Sequence, residues 1–214
     1  MGPPPAAGMS PMSSDEPRAS MVDVAFAVEC ESLSQEHRRA LAAALEQALP
    51  WLATLPDAAV HRLNLSASAS KQPLLSRRTR LTLRVPRARA QEAMALAGRS
   101  LQVGDSLLSL GAAHQRELLA HSTLYAHFVA AEDADEASFM RAAEAELAAL
   151  GVPCRCICGR HQTSESDALQ GFSLMLDGLS PQASLRVQES GLGLHRRLGC
   201  GVFVPHKSAV AVGA

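Results

Sequence analysis

The chain has 214 residues, enough for one large or two small domains, and its 47% hydrophobic and 19% charged content suits an ordinary packed core. A formal net charge of −1 carries no overall basicity of the kind that advertises nucleic acid, and no apolar run is long enough to cross a membrane. Five cysteines, an odd number, argue against a disulfide framework.

Residues 1–20 are rich in Pro, Ser, Ala and Met and lack the charged start and apolar run of a signal peptide. They read as a disordered tail, with the cytosol as the expected compartment. Met21 to Glu31 alternates Val22, Val24, Phe26 and Val28 with smaller or polar neighbours, which predicts a strand. Ser34 opens a predicted helix with Glu36 in its first turn and Leu41, Leu45 and Leu49 at helical spacing, ending at Pro50. His61–Ala69 and Arg78–Val85 alternate as strands. Pro86 stops the second of them and leads a helix over Arg87–Arg99, and Leu101–Leu110 closes the half as one strand.

The same order then recurs. Ser122–Ala130 reads as a strand, and Asp133–Leu150 as an alanine-rich helix with acids in its first turn and Gly151 at its C′ position. Val152–Cys158 and Gly171–Leu176 read as strands. Ser180-Pro181 has the capping chemistry of a helix running to about Gln188, and Val202–Val204 is the last strand. Each half is β-α-β-β-α-β, so the expected class is α+β, with tandem ferredoxin-like (RRM-like) domains over residues 21–112 and 121–207. Gly111–His121 connects them, and 208–214 form a short tail.

Charge is unevenly distributed. From Ala58 to Gln91 there is no acid, yet Arg62, Lys71, Arg77, Arg78, Arg80, Arg84, Arg87 and Arg89 all fall there, which predicts one positive face. Arg77, Arg78 and Arg80, on the loop and strand that follow Lys71, make the expected clamp for a duplex, Arg78 and Arg80 sharing a strand face, and Lys71 is a further expected RNA contact. Cys154, Cys156 and Cys158 alternate, so a strand aims all three thiols one way. They lack the paired spacing of zinc ligands and read as buried core cysteines.

The most informative run lies between the last predicted helix and strand. Gly191, Gly193, Gly199 and Gly201 bracket His195, Arg196 and Arg197, with His206 and Lys207 just beyond, and no acid follows Glu189. Glycine lets backbone N–H groups approach a ligand closely, and with guanidinium forks this makes an anion-binding concavity. The string is not a P-loop, and it does not follow a first strand as a dinucleotide fingerprint does. These residues are therefore expected to contact a phosphate-bearing polymer or nucleotide. Aromatics are only 3% of the chain and no base-stacking sheet motif is present, so recognition is expected to rest on phosphates, duplex shape and a few base-edge contacts.

Tandem ferredoxin-like halves with such a glycine loop resemble the repeat-associated mysterious-protein superfamily. The strings LLSRRTRLTLRVP, TLYAHFVA, ICGRHQ, GFSLML and HRRLGCGVFVPHKS are similar to the myxobacterial-type branch of its CRISPR repeat-RNA endoribonucleases, the Cas-six family, over roughly Val22–Lys207. The resemblance implies metal-independent cleavage of precursor CRISPR RNA beside a repeat stem-loop, with no cofactor. A ribose 2′-OH attacks the adjacent phosphate and leaves a 2′,3′-cyclic phosphate and a 5′-OH. It also implies a place beside other effector subunits in a Cascade-type complex.

That reaction needs a base, an acid and cationic donors, and histidine, with an ordinary pKa of ~6.5, suits the proton steps. The family commonly carries its catalytic histidine near the first helix, where His37 stands in this sequence, and His61 is the second candidate. His114, His121, His127 and His161 read as structural. An alternative function remains, a non-cleaving RNA-binding subunit that caps the guide-RNA hairpin, and cleavage in EDTA separates the two. A guide-complex backbone protein of the same superfamily is a more remote alternative.

Overall fold

The computed structural model describes residues 18–34, 36–63, 79–164 and 168–206. In β1 (Met21–Glu29) alternation buries Val22, Val24, Phe26 and Val28. Helix α1 (Arg38–Ala48) covers that face with Leu41 and Leu45, one turn apart. A 3-10 turn over Pro50–Thr54 leads to β2 (Ala59–Val60), and β3 (Arg80–Pro86) adds Leu81, Leu83 and Val85 to the same core. Short α2 (Ala90–Met94), β4 (Ser100–Val103) and β5 (Ser106–Glu117) complete an antiparallel sheet in the order β2-β3-β1-β5-β4.

The second half repeats this plan with β6 (Thr123–Ala131), α3 (Glu136–Ala149), β7 (Arg155–Ser164), β8 (Leu169–Asp177), α4 (Pro181–Ser190) and β9 (Val204–Pro205). Asp135 caps α3 by accepting from the Ser138 N–H, and Ser180 caps α4 by accepting from that of Ala183. Phe139, Ala143 and Leu147 of α3 meet Leu124, Phe172, Leu174 and Leu176 in a second, separate core. Its strand order is β7-β8-β6-β9. Leaving aside the edge strand β4, both sheets have the ferredoxin order, and the fold is the expected tandem α+β arrangement. Each fully buried Leu or Phe contributes about 1.5–3 kcal/mol by leaving water. A smaller cluster, Ala19, Met21, Leu118 and Leu185, joins β1 to α4 and so one half to the other.

Several boundaries differ from the sequence reading. Helix α1 starts at Arg38, because the Ser34 hydroxyl accepts the Glu36 N–H and closes a local turn first. The strand expected from His61 ends before it, at Val60; residues 64–78 lie outside the described residues. The helix expected over 87–99 shrinks to a 3-10 turn, Arg87–Arg89, and the five residues of α2. Leu101–Leu110 is not one strand but a hairpin turning at Gly104, whose φ of +59° suits glycine. Strand β5 runs to Glu117, so the connection is shorter than Gly111–His121. Residues 19–20, expected in the tail, are held: Ala19 is buried, and the Ser20 hydroxyl donates to the Glu189 carboxylate at 2.8 Å. Cys154, Cys156 and Cys158 are only half-buried, because β7 is an edge strand; Cys156 and Cys158 pair in register with core-facing Leu176 and Leu174. Among the described residues no helix is long and apolar enough to cross a membrane.

Candidate active site

Strands β1 and β3 pair Asp23 with Arg84 on the face opposite the first core. The Arg84 guanidinium donates to both Asp23 carboxylate oxygens, at 2.8 and 3.0 Å. Its remaining nitrogen crosses to the second half and donates to the carbonyls of Gln188 (2.8 Å) and Phe203 (2.9 Å). Arg196 donates to the next two carbonyls, Glu189 (2.6 Å) and Ser190. The last turn of α4, whose carbonyls have no helical partner and carry the negative end of the dipole, is thus capped by two buried arginines from different halves.

His61 faces this cluster. Its Nε2 is 3.3 Å from an Asp23 carboxylate oxygen but off the line of a hydrogen bond, so the contact is electrostatic. Burial, helped by the charges of Arg84 and Arg196, pushes the His61 pKa below its ordinary 6.5 even though Asp23 pulls it up. The ring is therefore neutral near pH 7. The two partners His61 and Arg84 hold the Asp23 carboxyl well below the usual carboxylate range against the opposing effect of burial.

The two candidate histidines meet in one small cleft. His37 and Arg38 from the start of α1, His61 and Arg62 after β2, and Arg197 and Gly199 of the glycine loop all line it. His37 is 7% exposed, and its Nδ1 stands 2.7 Å from the Ser34 carbonyl oxygen. A carbonyl only accepts, so Nδ1 carries the proton and Nε2 of the neutral ring carries the basic lone pair. Arg38 lies 5.4 Å from the centre of the Phe128 ring on β6, and its buried Nη1 has no hydrogen-bond partner among the described residues. A buried guanidinium donor left unmatched in the protein suits an incoming phosphate. Arg197 is partly engaged: it contacts Glu46 at 3.1 Å and donates to the Ala53 carbonyl at 2.8 Å, pinning the loop to the first half.

The glycine loop is built for its own packing first. Gly191, Gly193, Gly199 and Gly201 all have positive φ, as does His195. A Cβ on Gly201 would collide with the Leu192 carbonyl, and one on Gly191 with Gly201 and Arg196. The space at these two positions is therefore taken by the protein's own backbone, where a phosphate was expected. Arg196 does not close over a phosphate either. It is 6% exposed, and burial lowers its pKa to about 10. The Gly193 N–H donates to the Glu146 carboxylate at 2.8 Å. His195 is exposed on the side of the loop toward α3, away from the cleft residues.

Of the other expected contacts, Arg80 is exposed at the start of β3 on the face that carries Arg84, but does not line the cleft. His206 is exposed beside Tyr125. Lys71, Arg77, Arg78 and Lys207 lie outside the described residues. The expected single positive face is interrupted: besides Arg84, Arg87 pairs with Glu117 and Arg89 with Glu92. The sequence reading counted Arg62 only toward the positive face and passed over Asp23 and Arg38. Arg38 adjoins His37, and an acid amid the apolar alternation of β1 signals a polar opposite face.

Comparison with known proteins bears on the family and the fold. The family model described as Cas6 Crispr matches residues 22–208. The CRISPR-associated endonuclease Cas6 of Myxococcus xanthus (strain DK1622) is 35% identical over 194 residues, which cover 89% of this chain and 84% of that protein. Among solved structures, a CRISPR associated protein Cas6 superposes with a TM-score of 0.60 over 87% of this chain and 100% of its own, at 9% identity. A Cas6-related protein from Pyrococcus furiosus gives 0.57 over 86% of this chain and 98% of its own, at 11% identity. Identities this low speak to the fold alone. The family model spans both ferredoxin-like halves and the glycine loop, and the chain belongs to the Cas6 family of CRISPR-associated proteins.

Proposed function

We propose that this chain, an endoribonuclease by family, binds CRISPR repeat stem-loops and cleaves precursor CRISPR RNA without a metal, by attack of a 2′-OH on the adjacent phosphate. The observation that carries this reading is the convergence of His37, His61 and three arginines on one cleft between the halves. His37 Nε2 takes the 2′-OH proton. The oxygen so activated attacks phosphorus, the bond to the 5′ oxygen breaks, and that oxygen takes a proton from solvent water while His37 later returns its own to solvent. Arg38, with its unmatched buried donor, and Arg62 stabilise charge building on the phosphate. Arg80, Lys71, Arg77, Arg78, Lys207 and the rim of the glycine loop extend the contact along the RNA backbone. The protein stays bound to its product as a subunit of a Cascade-type effector complex.

The Asp23–His61 contact favours a second assignment, in which His61 is the base and Asp23 its orienting partner. A neutral His61 is compatible with either role, but its Nε2 faces the buried cluster and not the open cleft. Labelled repeat RNA incubated with the protein in EDTA tests the proposal. A 2′,3′-cyclic phosphate product supports it. Tight binding with no cleavage leaves the hairpin-capping subunit instead, and cleavage only with added metal contradicts the metal-free chemistry.

A further inference from the structure

The helix-free face of the second sheet carries an apolar row across all four strands. Tyr125 of β6 pairs with Met175 of β8, Met175 with Ile157 of β7, and Tyr125 on its other side with Val204 of β9. Ile157 is 38% exposed, and the other three are half-buried. Two exposed imidazoles border this row. The His127 ring meets Tyr125 edge-on at 4.8 Å between centroids, and His206 tilts against Tyr125 at 5.3 Å. The β6–β8 register shifts between Ala126 and Val129, so His127 stands at a bulge, and Gln162 of β7 holds that bulge by donating to the His127 carbonyl at 2.8 Å.

We infer that Tyr125, His127 and His206, bordered by Arg62, form a subsite that stacks an unpaired nucleobase of the bound RNA. Aromatic rings that served only the core would be covered, yet both imidazoles are exposed. Burial and the charges of Arg62 and His206 push the His127 pKa below 6.5, so a neutral, polarisable ring faces solvent near pH 7. The occupant is argued from continuity and charge. Arg62 belongs to the cleft and also lies close enough to His127 to act on it, and Arg38 of the cleft reaches Phe128, the next residue. A strand of RNA leaving the cleft with its phosphate on Arg62 meets these rings next. Stacking platforms bordered by a cation are how proteins hold single-stranded nucleic acid, and each stacked base is worth about five- to hundredfold in affinity.

The inference rests on the proposed RNA-processing function, and its test separates the two. Wild type and a His127→Ala/His206→Ala variant are titrated with a bare repeat stem-loop and with the same stem-loop carrying unpaired flanks, each flank position substituted in turn by 2-aminopurine. Thermal melting without RNA checks the fold, and His127→Phe keeps a ring without its nitrogen atoms. The expected result is quenching at one flank position, lost in the double variant and kept in His127→Phe. Affinity for the flanked RNA falls five- to hundredfold, and that for the bare stem-loop changes less than twofold. The subsite is overturned if no flank position is quenched in wild type, if quenching survives the double variant, or if the double variant loses both RNAs equally. If wild type binds neither RNA, the functional reading itself fails and the subsite with it.

Discussion

Arg84 grips both carboxylate oxygens of Asp23 inside the sheet of the first half and, with its third nitrogen, ties down two carbonyls of the second. The side chain is 1% exposed, so none of these bonds is shared with bulk water. One residue thus bonds the two halves directly to each other.

Removing Arg84 strands a buried carboxylate and uncaps the end of α4. Arg84→Ala is expected to lower stability by about 3–5 kcal/mol, the usual cost of breaking a buried pair from one side. In a chain of this size each kcal/mol shifts Tm by about 2–4 °C. Thermal melting of Arg84→Ala beside Asp23→Asn checks this, and a variant melting within a degree of wild type removes the clasp from the account.

Acid should act through His61 first. Its folded pKa lies below the ordinary 6.5, so the unfolded chain takes up the proton before the folded one. Stability is therefore full above pH 6.5 and falls as pH drops below it. Asp23, held low by His61 and Arg84 despite burial, adds its own loss only further down, below its ordinary 3.8. Urea titrations at pH 7.5 and 5.5 measure the difference, and His61→Gln should shrink it. An unchanged difference in that variant would assign the acid sensitivity elsewhere.

The glycine loop separates packing from binding less cleanly than its sequence suggests. Gly201→Ala forces a Cβ into the Leu192 carbonyl at a φ of +62°, and Arg196→Ala uncaps α4, so both should melt early whatever they do to RNA. Gly199→Ala meets the Val60 carbonyl at 3.3 Å and should be milder. Melting curves without RNA rank the three, and a Gly201→Ala protein as stable as wild type would contradict the packing role.

Cleft cations are read by salt. Arg38→Ala and Arg62→Ala should each weaken repeat-RNA binding and reduce the slope of log affinity against log salt by about 0.7–0.9, one phosphate contact apiece. Slopes equal to wild type in both variants would take the phosphate out of this cleft.

The duplicated architecture was legible because the apolar periods are clean: alternation in β1 and β3, and helical spacing in α1, each bury the residues the pattern selects. Boundaries failed where a local device outranked the period, as at Ser34, Gly104 and the short α2. The site was half legible. His37 and His61, which the sequence offered as alternative candidates, stand in one cleft, but charge counting could not tell a clamp from a clasp. Arg84 and Arg196 look in sequence like two more RNA-facing cations, and both are spent inside the protein on helix carbonyls that no linear pattern reveals. His206 is brought to Tyr125 and His127 only by the pairing of β6 with β9.

In the proposed mechanism His37 moves the proton. Single-turnover cleavage of one labelled repeat RNA, with protein in excess and EDTA present, compares wild type with His37→Ala and His61→Ala. General acid–base catalysis is worth about 10²–10⁴ in rate, so His37→Ala should lose at least a hundredfold while binding the hairpin within a few fold of wild type. A loss under tenfold for His37→Ala, with activity abolished in a folded His61→Ala protein, would contradict the assignment and move the base to His61.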